Sequence, residues 1–243
     1  MPETPEHSHA PDAIRARLAG WRGGGGHIRD FVYGGIDGAI TTLAVVAGVK
    51  GADLSETVVL ILGLANLLAD GFSMAASNYS GAKTVVDDLV RTRAVERRHI
   101  RDAPEGEREE VRQILAAKGL TGATLDAAMR AVTADDRAWV ELMVTDEYGM
   151  SPDPPSPLIA GAITFMAFLI CGAVPLIPFV VGAGAPFALS VAMTCVTFLA
   201  IGAAKSRWSL SHWWASALET LVIGGAASAI ASGAGLGTQA VVG

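Results

Sequence analysis

Asn66-Leu67-Leu68-Ala69-Asp70-Gly71-Phe72-Ser73-Met74 lies inside an apolar run, 57–79, whose only charged residue is Asp70. A helix of that length crosses a hydrocarbon core of about 30 Å. Because a helix returns to one face every three to four residues, Asn66, Asp70 and Met74 fall on one stripe at i, i+4 and i+8. The stripe sets an amide, a carboxylate and a thioether at membrane depth. A carboxylate there is costly unless it faces a partner, water or an ion, which marks Asp70 as a functional residue. Reading this run as a membrane span decides the fold class: an all-α integral membrane protein.

The preceding apolar run, 31–49, holds a second acid, Asp37. Three further runs, at 158–181, 186–204 and 213–234, bring the predicted transmembrane helices to five, each of about twenty residues. Pro175 and Pro178 remove backbone donors within the third and predict a kink or an end there. Gly34-x-x-x-Gly38 predicts a close helix contact, and glycines beside Asp37 leave room for a hydrated ion. Glu219 adds an ionisable residue near the start of the fifth run.

Composition agrees with a membrane protein carrying one charged insert. The 243 residues are 51% hydrophobic and 17% charged, below the roughly 25% charge of ordinary soluble domains. Of the charged residues, 11 basic and 15 acidic fall between Lys83 and Asp153, which leaves the flanks nearly charge-free. The chain therefore divides into a flexible cytosolic tail (1–29), two spans (30–82), a cytosolic helical module (83–153) and three spans (154–243). A net charge of −6 without an aromatic-interleaved basic patch excludes a nucleic-acid partner. Cys171 and Cys195 lie in separate apolar runs and read as packing residues. The first thirty residues contain no apolar core of a signal peptide. His7, His9 and His27 offer imidazoles in a solvated tail, and 14–21, with Arg15 and Arg17, has the make-up of a membrane-surface helix.

Basic residues orient the spans. Arg15, Arg17, Arg22 and Arg29 precede the first, Lys83, Arg91 and Arg93 follow the second, and Lys205 and Arg207 lie between the fourth and fifth. The other loops hold only Lys50. Five spans place all three basic groups on the cytosolic side, with the N-terminus and the insert, whereas four or six would scatter them.

Within the insert, no Gly or Pro between Lys83 and Asp102 interrupts the second span, which predicts that it continues as a polar helix. Asp102-Ala103-Pro104 starts another helix and Lys118-Gly119 ends it. Helices over 125–132 and 135–148 complete the module, with Trp139, Leu142 and Met143 in its core. The 151–157 segment, Ser-Pro-Asp-Pro-Pro-Ser-Pro, is a stiff connector back to the bilayer. Glu96 and His99, like Glu107 and Glu110, are spaced i, i+3 and share a helix face, while Asp146 and Glu147 lie on a third helix. Packed together, these groups form a cation site; apart, they are a solvated face balanced by Arg97, Arg98, Arg101 and Arg108. Carboxylates with the Asn66 amide and the Met74 sulfur suit Mn²⁺ and Fe²⁺ better than Mg²⁺ or Ca²⁺.

The segments 30–38 (Asp-Phe-Val-Tyr-Gly-Gly-Ile-Asp-Gly), 70–74 (Asp-Gly-Phe-Ser-Met), 104–115 and 139–154 resemble the vacuolar iron transporter family. The resemblance implies five spans, a homodimer, and a cytosolic metal-binding module between spans two and three. It further implies export of Fe²⁺, often Mn²⁺, from the cytosol in exchange for protons. It makes Asp37 and Met74 translocation ligands, and Glu96, Glu107, Glu110, Met143 and Glu147 ligands of the module. Three positions depart from the family pattern: His99 replaces a further glutamate, Val144 a second methionine, and Asn66 a membrane glutamate. Asp70, one turn after Asn66, reads as a relocated carboxylate, similar to a bacterial branch whose members sit in the plasma membrane.

The expected function is thus a secondary transporter, not an enzyme. It has no prosthetic group, and its partners are divalent metal ions, protons and the lipid bilayer. Two other classes compete. Glu96-x-x-His99 has the form used in di-iron carboxylate oxidases, although those sites need the motif twice. A metal-responsive membrane protein without transport would bind metal at the insert and pass none.

Overall fold

The structure is a computed structural model that describes residues 10–20 and 26–242. His7, His9 and Arg22 lie outside the described residues. The described residues form helices and contain no strand: α1 (Pro11–Gly20), α2 (Gly26–Gly51), α3 (Glu56–Asp102), α4 (Pro104–Ala117), α5 (Gly122–Thr133), α6 (Asp136–Asp146), α7 (Pro157–Ala173), the short α8 (Ile177–Val180), α9 (Pro186–Lys205) and α10 (Trp213–Val242). Four helical stretches among them, His27–Gly51, the apolar part of Glu56–Asp102, Pro157–Val180 and Pro186–Trp208, are long and apolar enough to cross a membrane. α10 is a 30-residue helix beginning at Trp213.

α3 is unbroken over 47 residues, as the lack of Gly or Pro after Gly81 predicts. α2 starts at Gly26, five residues ahead of the apolar run at 31–49. The chain divides into two compact units, one built from Gly24–Ser80 and Ser156–Gly243, the other containing Gly81–Pro155.

In the first unit α2 and α7 pack with almost no side chain between them. A Cβ on Gly34 would stand 2.1 Å from the Thr164 carbonyl oxygen, and one on Gly38 would stand 2.5 Å from that of Phe168. The close contact predicted for Gly34 and Gly38 is therefore made within the chain. The space that these two glycines leave is taken up by the α7 backbone, which corrects the expectation that they make room for an ion. Val46, Val59, Leu67, Phe168 and Leu176 form the apolar core around this contact. α7 gives way to a 3₁₀ turn at Val174–Leu176, where Pro175 lacks the N–H that would continue the helix. The outer face of α3 stays apolar and exposed, with Leu68 61% and Phe72 68% accessible.

In the second unit α6 is buried on two sides. Trp139 and Met143 meet Val111, Leu115 and Leu125, while Val140 and Val144 pack on Leu89. Asp135 caps α6 by accepting from the Arg137 N–H at 2.9 Å, worth about 1 kcal/mol. Arg93 donates to Glu141 at 2.9 Å and to the Pro152 carbonyl at 3.1 Å, which ties the connector to the module.

Candidate metal sites and family

A polar seam runs along α2 and α3. Asp37 and Asp70 are both half-buried, at matching heights between two hydrogen-bonded contacts of these helices. One turn away, the Asn66 amide donates to Thr41 Oγ1 at 3.2 Å. In the other direction, Asn78 donates to Asp30 Oδ1 at 2.9 Å and to Thr164 Oγ1 at 2.7 Å. The order of these pairs is antiparallel: Asp30 with Asn78, Asp37 with Asp70, Thr41 with Asn66. Asp30 is fully buried, and its Oδ2 has no hydrogen-bond partner among the described residues. Met74 lies between Asp70 and Asn78 on the same stripe, half-buried against the core that includes Phe168. Asn66 is thus committed to an interhelical hydrogen bond. That bond uses the amide nitrogen and leaves Asn66 Oδ1, with the carboxylates and the Met74 thioether, as a group able to hold a cation. Glu219 stands apart, paired with Lys205 at 3.1 Å.

The second unit gathers Glu96 from α3, His99 one turn on, and Glu107 from the first turn of α4. One ligand atom from each lies within 4.8 Å of the others. His99 Nδ1 is 3.7 Å from Glu96 Oε1 and 3.6 Å from Glu107 Oε1. These distances are too long for good hydrogen bonds and a few tenths of an ångström wider than the roughly 3.4 Å between ligand atoms of a tetrahedral ion held at about 2.1 Å. The Glu96 and Glu107 side chains are 1% and 7% exposed. Oε2 of each is buried without a hydrogen-bond partner among the described residues. Unpaired carboxylate oxygens at that depth cost free energy unless a cation or proton joins them.

The protons answer to this crowding. Burial, reinforced by the charges of Glu96 and Glu110, raises the Glu107 carboxyl to about 7, against a smaller lowering by His99. Burial and the same two glutamates also raise Glu147. Glu110 and Glu147 are exposed but act electrostatically on this site. Met143 is fully buried in the module core beside Val111 and Trp139. Val144, where the resemblance implies a second methionine, packs on Leu89 and Val140.

Two features escaped the sequence reading. Tyr148 donates its hydroxyl to Glu96 Oε1 at 2.9 Å, and the only signal for it is its position after Glu147. Asn78 is i+4 from Met74, so continuing the Asn66–Asp70–Met74 stripe by one turn would have found it.

A sequence profile of the VIT family matches residues 28–236. The chain is 34% identical over 209 residues to vacuolar iron transporter 1 of Eucalyptus grandis, covering 85% of this chain and 84% of the relative. It is 32% identical over 217 residues to vacuolar iron transporter 2 of Oryza sativa subsp. japonica, covering 88% of each. To vacuolar iron transporter 1 of Arabidopsis thaliana it is 33% identical over 207 residues, covering 84% and 83%. With apolar spanning helices and a matched profile over most of its length, the chain is a membrane protein that belongs to the VIT family.

Proposed function

We propose that the protein is a secondary transporter that exports Fe²⁺ or Mn²⁺ from the cytosol in exchange for protons. The observation that carries this reading is the polar seam between α2 and α3, where the half-buried Asp37 and Asp70 lie between the Asn66–Thr41 and Asn78–Asp30 hydrogen bonds of two apolar helices. Ionisable residues within membrane spans mark ion and proton routes. Family membership and relatives named as iron transporters support iron as cargo, and the oxygen-rich ligand set supports Mn²⁺ beside it. In this reading the module formed by 83–153 is cytosolic and captures the ion through Glu96, His99, Glu107, Glu110, Glu147 and Met143. Asp37, Asp70 and Met74 pass it through the membrane, and Asn66 holds α3 to α2.

The same reading takes α10 as a fifth span, with the N-terminus and the module on the cytosolic side where the basic residues cluster. The exposed apolar face of α3, with Leu68 and Phe72, supports a homodimer within the bilayer. The exchange of Asn66 for a membrane acid, offset by Asp70, supports a bacterial-type member in the plasma membrane. No prosthetic group enters the scheme.

The test is flux. Purified protein in liposomes should take up Mn²⁺ and Fe²⁺, and Asp37→Ala should reduce uptake to the level of empty vesicles while leaving thermal stability and metal binding by the module in place. Undiminished uptake by the variant would remove Asp37 from the path. Oxygen consumption on Fe²⁺ addition would instead favour an oxidase built on Glu96-x-x-His99. Binding by the module without flux would favour a metal-responsive protein that does not transport.

A further inference from the structure

Tyr148 lies where the module's cation site meets the end of α6, and its place is fixed by the way that helix stops. Gly149 takes φ +64, a left-handed conformation that glycine adopts without a Cβ penalty. The Tyr148 N–H then donates to the Met143 carbonyl at 3.3 Å, and the Met150 N–H to that of Val144 at 3.0 Å. Met150 packs against the cluster of Leu89, Val140 and Val144, the hydrophobic contact that commonly accompanies this helix ending. The tyrosine backbone is therefore held from both sides, and its hydroxyl reaches Glu96 Oε1 at 2.9 Å.

Glu96 needs such a partner. Its carboxylate is buried to 1% exposure, and the terminal torsion of a glutamate is broad and roughly two-fold, so packing alone defines its plane poorly. A hydrogen bond to one oxygen selects the orientation. The donor is also neutral. An Arg or Lys in this place would bring a positive charge that competes with the incoming ion, whereas a phenol orders the carboxylate and leaves its full negative charge available to a cation.

We propose that Tyr148 is a positioning residue of the module's cation site, raising its affinity for divalent metal by holding Glu96 in one orientation. The proposal rests on the reading that Glu96, His99 and Glu107 hold the cargo ion, and it adds a group that touches the ligand and not the ion. Partners that orient metal-binding side chains typically change affinity by about 10–100-fold when removed.

A double-mutant cycle tests it, using the full chain in lipid nanodiscs titrated calorimetrically with MnCl₂. Tyr148→Phe keeps the ring and removes only the hydroxyl. The expected result is Mn²⁺ binding weakened about tenfold or more in the wild-type background and less than twofold in the Glu96→Gln background. Such a difference shows that the hydroxyl acts through the Glu96 carboxylate. Melting of the metal-free proteins is followed in parallel. A purely structural tether would lower the metal-free melting temperature and weaken binding equally in both backgrounds, and that result overturns the proposal, as does unchanged Mn²⁺ affinity in Tyr148→Phe. If Glu96→Gln and Glu107→Gln each bind Mn²⁺ as tightly as the wild type, the cation-site reading itself fails, separately from any effect of Tyr148.

Discussion

Glu107 shows how one buried acid couples stability to protons and, in the proposed metal site, to the ion. Its carboxyl titrates near 7 because it is buried beside Glu96 and Glu110, against about 4.5 in the unfolded chain. Between those values the native state binds more protons than the unfolded state, so unfolding free energy falls as pH rises from about 4.5 to 7. With each tenfold change in proton affinity worth about 1.4 kcal/mol, the loss is on the order of 3 kcal/mol for a side chain this little exposed. A cation must displace the same proton, so metal affinity moves the opposite way. We expect the metal-free protein to melt at a lower temperature at pH 7.5 than at pH 5.5, and Mn²⁺ to bind more tightly at the higher pH. Glu107→Gln should flatten both dependences, because an amide neither titrates nor releases a proton. Melting curves and calorimetric titrations at the two pH values check both slopes, and an unchanged slope in the variant would assign the titration to another group. At this scale the sequence was only partly legible. The i, i+3 spacings put Glu96 with His99 and Glu107 with Glu110 on helix faces, but spacing within a helix says nothing of which faces meet. That depends on the packing of Trp139, Met143 and Val111, and on a tyrosine beyond the end of α6.

Helices were more legible than residues, since length, hydropathy and proline placement act locally. The unbroken α3, the start of α4 at Pro104 and the break of α7 at Pro175 each follow from a backbone donor present or missing. Glycine was misread, because a stripe of small residues announces close approach without naming what approaches. Beside Asp37 it is the backbone of α7 that comes close. This gives a test with its own control. A methyl on Gly38 would stand 2.5 Å from the Phe168 carbonyl oxygen, a backbone atom that moves only if α7 shifts. Gly38→Ala should therefore destabilise the protein by about 1–3 kcal/mol. Gly48, on the same helix, has nothing within 4 Å of its added Cβ, so Gly48→Ala should be neutral or stabilising by up to about 1 kcal/mol through helix propensity. Thermal melts of the two variants in detergent decide it. If both behave alike, the α2–α7 contact is looser than the geometry indicates.

For the whole molecule the question is charge balance during transport. In the proposed antiport, a divalent ion held between Asp37 and Asp70 would be neutral with its two carboxylates. When it leaves, two negative charges would remain among apolar helices unless other cations replace it, and an uncompensated charge in such surroundings is far costlier than a paired one. Two protons are the simplest replacement, which gives an exchange of one metal ion for two protons with no net charge moved. In liposomes loaded with a pH-sensitive dye, Mn²⁺ uptake should accelerate when the interior is acidic and slow when a protonophore collapses the gradient, and interior pH should rise as metal enters. Asp70→Asn should retain Mn²⁺ binding by the module, measured calorimetrically, while the proton movement that accompanies uptake is lost, since an amide carries no exchangeable charge. Because the proposed exchange is electroneutral, a potassium-diffusion potential imposed with valinomycin at constant pH should leave the rate unchanged. A rate that follows voltage and ignores the pH gradient would mean that the metal crosses with its charge uncompensated, and the antiport reading would give way to a uniport.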